Sequence, residues 1–558
     1  MNRMRIWLAM LILAPLSPSF AAEVGGDISL VPKPVELVAK SGQMLLGNPV
    51  SISYQPASEG IKRIAGELQA SLKTVTEAEA RIGAGGLPKQ GFYLTLDNAI
   101  PQSEGYCLDI SPDQVRLTAR QEVGLFYGVQ TLKQLLFHAN TGPQKASAVL
   151  PCLKITDYPR FSWRGMHLDV SRHFFPKEFI KQYIDVLAMH KMNVFHWHLT
   201  DDHGWRIEIK RYPRLTQFGA WREPNKDATQ TLYAKDRSMD IRQRTYGGFY
   251  SQQDIREVIE YARQRYVNIV PEIEMPAHSM AALDAYPELS CTGKPFVPPD
   301  VVTAKNEFTD PFCAGNDRTF EFLENVLSEV IELFPSPYIH CGGDEARKSS
   351  WEACPKCQAR MRAEGLKNAT ELQGYFMKRI ERFVVSKQRK MVGWDEIIEG
   401  GLAPEATVMN WRSEKGGVEA ARLGHDVVMA DWGYVYFGTG SYMRLTSTGE
   451  SGLIAKLRQI YQYNPLPTVL TTDQAKHILG VQGCIWTENV DTTKKAMETL
   501  VPALCPLSEL NWIGPTPRNW PDLARRLKKH YAFLDSRQVV EWSPIRAAGR
   551  TPASDWLR

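Results

Sequence analysis

From about residue 158 the chain keeps repeating one pattern, a short β-prone apolar run followed by a stretch with apolar residues at helical spacing. Strand-type runs fall at 166–169, 193–199, 267–274, 338–341, 391–394, 406–411, 426–430 and 479–486. Helical periodicity separates several of them, at 179–190, 253–265, 319–334 and 370–387, with a weaker case at 416–423. Strands joined through helices run parallel, and a parallel sheet needs both faces covered. Eight such units in roughly 350 residues predict an α/β fold, a (β/α)₈ TIM barrel, whose chemistry gathers where the strands end.

Residues 23–157 read differently. Short alternating segments at 92–96, 106–110 and 115–119 and a helical stretch at 121–138 predict a small α+β domain before the barrel. The barrel is expected over 158–512 and a C-terminal helical tail over 513–558. With 43 % hydrophobic and 23 % charged residues, the 558-residue chain is ordinary globular protein.

Residues 1–22 carry Arg3 and Arg5, a short apolar stretch and small residues at its end, the composition of a cleaved signal peptide. A periplasmic or secreted protein is therefore expected. The apolar stretch is too short to span a bilayer, and no later stretch approaches the ~20 apolar residues needed. Cleavage would remove two arginines and no acid, lowering the formal net charge from +4 to +2. That balance implies neither nucleic acid nor an acidic membrane as partner.

The nine cysteines are an odd number for an exported chain, so at least one stays unpaired within the molecule. Cys291 with Cys313, flanking a Pro-rich loop, is the expected disulfide. Cys354 and Cys357 form a CxxC that reads as a second bridge, a redox pair or half a zinc site. A lone CxxC lacks the second ligand pair, and no metal or cofactor is expected.

The strand ends collect polar and aromatic residues. The first is followed by Arg172 and His173, the second by Asp201, Asp202 and His203, the third by Glu274 and His278, and the fourth by Asp344 and Glu345. Trp394, Trp411 and Trp486 end the fifth, sixth and eighth strands, with Glu488 just beyond; Trp432, Tyr434 and Tyr436 follow the seventh. Carboxylates among tryptophans suit a sugar, whose CH face packs on an indole while its hydroxyls meet charged groups. Adjacent carboxylates reach one site only if the strand has ended, and Gly342 and Gly343 permit that turn. Two acids held close in a partly dry pocket cannot both ionise easily.

The stretches YPRFSWRGMHLDVSRHF (158–174), NVFHWHLTDDHGWR (193–206), PEIEMPAHS (271–279), HCGGDE (340–345), GWDE (393–396) and GCIWTE (483–488) resemble the glycoside hydrolase family 20 β-N-acetylhexosaminidases. The likeness runs over nearly the whole chain beyond the leader. It implies an exo-acting retaining enzyme that removes terminal β-linked GlcNAc or GalNAc from chitooligosaccharides or glycans. The nucleophile would be the substrate's own 2-acetamido oxygen, giving an oxazolinium ion, an exception to the usual two-carboxylate scheme.

By matched motif, Glu345 would be the general acid/base and Asp344 would orient the acetamide. Tyr436 would bind the acetamide oxygen, and Trp394, Trp411 and Trp486 would wall the pocket. Arg172 and Glu488 would hold sugar hydroxyls, while Asp201 and His278 would relay toward Glu345. The chain departs from the family after the seventh strand, where the usual Asp or Asn two residues beyond the tyrosine is replaced by Gly438. If Tyr434 were the matching tyrosine, Tyr436 would stand at that polar position.

Blander readings stay open for other residues. Glu272 and Glu274 are read as structural hydrogen-bonders, and Asp202 and His203 as loop-turning residues. Trp432 is either barrel packing or a sugar platform. His196 and His198 form an HxH whose sharp alternative is a metal-dependent, amidohydrolase-like hydrolase; the other alternative class is a non-catalytic sugar-binding relative. Sugar preference, accepted chain length, disulfide pairing and oligomeric state are not set by the sequence.

Overall fold

Eight parallel strands close on themselves in the computed structural model of the chain, which describes residues 28–76, 79–139, 149–222, 244–294, 310–438, 452–514 and 518–537. They are Trp163–Asp169, Val194–His198, Asn268–Glu272, Tyr338–His340, Lys390–Trp394, Thr407–Asn410, Val427–Met429 and Ile478–Ile485. The last pairs with both the seventh and the first, which completes the barrel. Each of the eight strand runs expected beyond residue 158 corresponds to one of these. The leader expected over residues 1–22 lies outside the described residues, and none of the described helices is long and apolar enough to cross a membrane.

The helices form where apolar spacing and caps agree. Lys177–Met189 buries Phe179, Ile180, Tyr183, Ile184 and Leu187, one stripe at three- and four-residue intervals. Each such side chain contributes roughly 1.5–3 kcal/mol on burial. Gln252–Arg263 opens with a capping box between Ser251 and Asp254, and Asn316 caps Asp317–Leu333.

The N-terminal part is a seven-stranded mixed sheet with the strand from Glu36 at one edge and that from Ala80 at the other. Helices Glu59–Thr76 and Glu122–Ala139 pack against it. Its last strand, Val149–Asp157, delivers the chain to the barrel.

Asp157 holds the junction. It is fully buried and accepts from Val35 N (2.9 Å) and Tyr106 Oη (2.6 Å) on the sheet side, and from Lys191 Nζ (2.8 Å) and Trp512 Nε1 (2.7 Å) on the barrel side. Arg164, in the first barrel strand, donates to Tyr127 Oη at 2.9 Å and pairs with Glu104. Beyond the barrel, helix Trp520–Ser536 packs back through Arg526, which reaches Glu509 and the Leu30 carbonyl.

One expectation is corrected here. Cys291 and Cys313 are not a bridged pair; all nine cysteines are free thiols, and these two stand in one cluster with Cys354 and Cys357. Helix Pro355–Ala363 begins beside the loop that carries Cys291 and Cys313, so the CxxC at its first turn supplies two further sulfurs.

Candidate active site

Parallel register does the first positioning. Asp169, His198, Glu272 and His340 align across the first four strands, so their side chains share one level of the barrel. Glu272 is fully buried there, with His340 Nδ1 at 2.7 Å and His196 Nε2 at 3.1 Å, and it also binds His198 Nδ1. Burial would raise its pKa, but the surrounding histidines hold it well below the usual carboxylate range. Glu272 in turn accepts from Trp394 Nε1 at 2.9 Å, fixing that indole. The other His198 nitrogen lies 2.9 Å from Asp201, so both of its ring nitrogens already meet carboxylates. The HxH is thus a hydrogen-bonding element of the barrel interior.

Above this level lies a cavity of about 170 Å³ lined by Arg172, Asp201, His278, Asp344, Glu345, Trp394, Trp411, Tyr436, Trp486 and Glu488. All ten residues singled out by motif therefore meet in one place. Arg172 Nη1 is 2.9 Å from Asp201 and 3.3 Å from Asp169; its other amino group is 4.0 Å from Glu488, and its guanidinium lies 5.1 Å from the Trp486 ring centre. Trp411 and Tyr436 stand nearly parallel, at 14° and 6.2 Å.

Tyr436, not Tyr434, lines the cavity; Tyr434 stacks on Tyr463 instead. Gly438 has φ +96°, and a Cβ there would sit 3.1 Å from Val490, so a side chain at this position would be strained. Trp432 is 60 % exposed and outside the cavity wall, so it is not barrel packing.

The turn after the fourth strand needs its glycines. Gly342 and Gly343 both have positive φ, and a Cβ on Gly342 would fall 1.8 Å from a Glu274 oxygen. Glu345 and His278 also have positive φ, 47° and 49°, conformations that cost a non-glycine residue about 1–3 kcal/mol.

His278 links the acids. Its Nδ1 lies 3.2 Å from Asp201 and 3.3 Å from Asp202, and its Nε2 lies 3.2 Å from Glu345 and 3.5 Å from Asp344. Burial would strip its proton, but Asp201 and Asp344 hold its pKa well above the ordinary histidine value. Burial would likewise raise Asp201, yet Arg172 and His278 hold it well below the carboxylate range. The two neighbouring acids diverge. Burial pushes Asp344 up to about 7, only partly offset by His278. Glu345, with half its side chain exposed, is held below its usual value by the His278 contact.

Two residues gain roles that the sequence reading did not give them. Glu396, in the GWDE stretch, accepts from Trp411 Nε1 at 2.8 Å, and burial raises it to about 8. An acid two residues beyond a strand-end tryptophan is the signal that could have found it. Glu274, expected to be a structural hydrogen-bonder, is corrected: its carboxyl oxygens are buried with no hydrogen-bond partner among the described residues. Burial and nearby Asp344 raise it well above the ordinary range.

The catalytic-domain model of Glycosyl hydrolase family 20 matches residues 161–515, and the family's domain 2 matches residues 27–158. The chain belongs to glycosyl hydrolase family 20. It is 39 % identical over 531 residues to the β-hexosaminidase of Porphyromonas gingivalis, covering 94 % of this chain. The chain spans only 65 % of that relative's length. With the β-hexosaminidase of Vibrio furnissii it shares 35 % identity over 86 % of this chain and 76 % of the other. Among solved family 20 structures, the exo-β-N-acetylglucosaminidase of Vibrio harveyi in complex with N-acetylglucosamine superposes with a TM-score of 0.78 at 30 % identity, covering 92 % of this chain and 78 % of that one. Family membership makes the protein a glycoside hydrolase.

Proposed function

We propose that this family 20 enzyme is an exo-acting β-N-acetylhexosaminidase that removes terminal β-linked GlcNAc or GalNAc by substrate-assisted, retaining catalysis. The observation that carries the reading is the Asp344–Glu345 pair, one acid lodged in a tryptophan-walled cavity and the other half open to solvent at its mouth. Relatives named for β-hexosaminidase and exo-β-N-acetylglucosaminidase activity support it.

In this scheme the terminal sugar enters with its acetamide between Trp394, Trp411 and Trp486. Tyr436 donates to the acetamide oxygen, and the Asp344 carboxylate accepts from the acetamide N–H. In the empty pocket the proton of the pair rests on Asp344, because burial disfavours its charged form. A bound acetamide N–H, and the positive charge that develops as its oxygen attacks the anomeric carbon, favour the Asp344 anion. The aglycone covers Glu345 and disfavours that anion instead. Binding therefore moves the proton onto the residue that must donate it to the leaving oxygen. Once the aglycone has left, the Glu345 carboxylate takes a proton from water, which opens the oxazolinium ion from the same face as the departed group. His278, tied to Asp201 and Asp202, steadies both acids.

Arg172 and Glu488 close the far edge of the cavity around the sugar hydroxyls, which restricts cleavage to chain ends. Chitooligosaccharides and glycan ends are the substrate class, and we place the enzyme outside the cytoplasm on the leader-type composition of residues 1–22. Domain limits at 22, 157 and 512 are part of the same proposal.

The test is a kinetic panel of aryl GlcNAc, GalNAc and glucoside substrates on wild type, Glu345→Gln and Asp344→Asn. Wild type should cleave the acetamido sugars, and each substitution should lower kcat by about 10²–10⁴-fold. Similar rates on the plain glucoside would refute acetamide participation, and full activity in Glu345→Gln would sink the assignment. Activity that survives brief treatment with a chelator sets aside the metal-hydrolase alternative, and activity itself sets aside the non-catalytic one.

A further inference from the structure

Four cysteines converge beside the catalytic loops. Cys313 Sγ lies 3.8 Å from Cys354 Sγ and 3.7 Å from Cys357 Sγ, and Cys291 Sγ lies 3.9 Å from Cys357 Sγ. All four sulfurs fall within 4.8 Å of one another, and three of the four residues are buried. A zinc ion with four thiolate ligands at about 2.3 Å places its sulfurs about 3.8 Å apart along the edges of a tetrahedron. The cluster therefore has the span of one mononuclear site. It is too tight for an iron–sulfur cluster, whose cysteines must reach around a core of several metal ions and sulfides.

The local chain is built for thiolates. Cys354 stands at the N-cap position of helix Pro355–Ala363 and Cys357 lies in its first turn, where the helix dipole favours negative charge. The backbone N–H of Gly315 bonds to Cys313, and a Cβ on Gly315 would fall 2.2–2.4 Å from the backbone of Lys356 and Cys357. Only a glycine lets the two cysteine-bearing segments approach this closely. Cys291 and Cys313 themselves sit on paired backbone, with Ser290 bridged to Phe312 and Cys313 N bonded to Leu289 O at 2.9 Å.

We propose that Cys291, Cys313, Cys354 and Cys357 bind one zinc ion in a closed structural site. Four protein ligands leave no open position for substrate, so the ion fastens rather than catalyses. What it fastens is the loop after the third barrel strand to the helices after the fourth. Around it, Ser279, next to His278, donates to Asp310 O; Ser350 donates to the Asp310 carboxylate; Trp351 Nε1 donates to Phe312 O. The strap thus joins the segment bearing His278 to the one following Asp344 and Glu345. Zinc binding releases the thiol protons and leaves every cysteine reduced, which distinguishes it from bridging the same sulfurs by oxidation.

The test is metal analysis by mass spectrometry and thiol titration on the full chain, purified without chelator. One equivalent of zinc and nine reactive thiols after denaturation with chelator are expected. Replacement by cobalt should give the intense thiolate charge-transfer absorption of a tetrahedral four-sulfur site. Cys313→Ser and Cys354→Ser should each lower bound zinc at least about tenfold, with Cys107→Ser unchanged. If the variants fail to fold, the wild-type measurement still decides. Absence of stoichiometric zinc overturns the proposal, whether the thiol count is nine or is lowered to seven or five by disulfides. The readout is metal content, so it succeeds or fails independently of the glycosidase activity.

Discussion

At the residue scale the site is governed by how unequally burial treats two neighbouring carboxyls. Asp344 is enclosed and raised to about 7, whereas Glu345 is half exposed and lowered by His278. The productive state carries one proton on the pair, so the two titrate as a unit. Below about pH 7 that proton is held, and as pH rises through about 7 it is lost from the free enzyme. We therefore predict that kcat/KM falls on the alkaline side with an apparent pKa near 7, and that the acid limb lies below the ordinary glutamate range. A pH profile on an aryl GlcNAc substrate checks this; a rate constant still flat at pH 9 would contradict it. In Asp344→Asn the alkaline limb near 7 should vanish along with most of the rate.

At the scale of the element, the turn from Gly342 to Glu345 converts one short strand into two converging acids. Strand geometry alone would point Asp344 and Glu345 to opposite faces. Two positive-φ glycines and the left-handed Glu345 rotate both into the cavity, and Glu274 fills the space that a Cβ on Gly342 would take. Gly342→Ala must displace either the turn or the buried Glu274 carboxyl. Overpacking of this kind costs about 1–3 kcal/mol, and a shift near 1 Å in reacting groups costs about 10²-fold in rate. The expected outcome is a soluble protein with lowered melting temperature and kcat reduced about 10²-fold. Wild-type kcat in that variant would show that the turn tolerates a side chain.

At the scale of the whole molecule, the N-terminal sheet and the barrel are joined through buried polar groups as well as apolar packing. Asp157 gathers two donors from each side, one of them the buried Lys191 ammonium. Asp157→Asn keeps the volume but removes the charge and turns one acceptor into a donor facing donors. Breaking a buried pair from one side costs about 3–5 kcal/mol. Calorimetry should show a lower melting temperature, with the single transition tending to split as the sheet and barrel unfold apart. An unchanged thermogram would mean that apolar packing alone holds the junction.

The barrel was legible in the sequence because parallel strands and their covering helices impose periods of two and 3.6 residues that do not depend on distant partners. The ten cavity residues were legible for a related reason: a barrel collects its strand ends, so motif residues separated by up to 316 positions, Arg172 and Glu488, had one place to meet. Tertiary structure alone decided what depends on approach through space. It chose Tyr436 over Tyr434, gave Glu396 the task of holding Trp411, and left the buried Glu274 carboxyl without a hydrogen-bond partner among the described residues. It also turned an expected Cys291–Cys313 pair and a lone CxxC into one four-sulfur cluster. Each of these rests on distances of a few ångströms between segments far apart in the chain, and no local pattern of residues encodes such a distance.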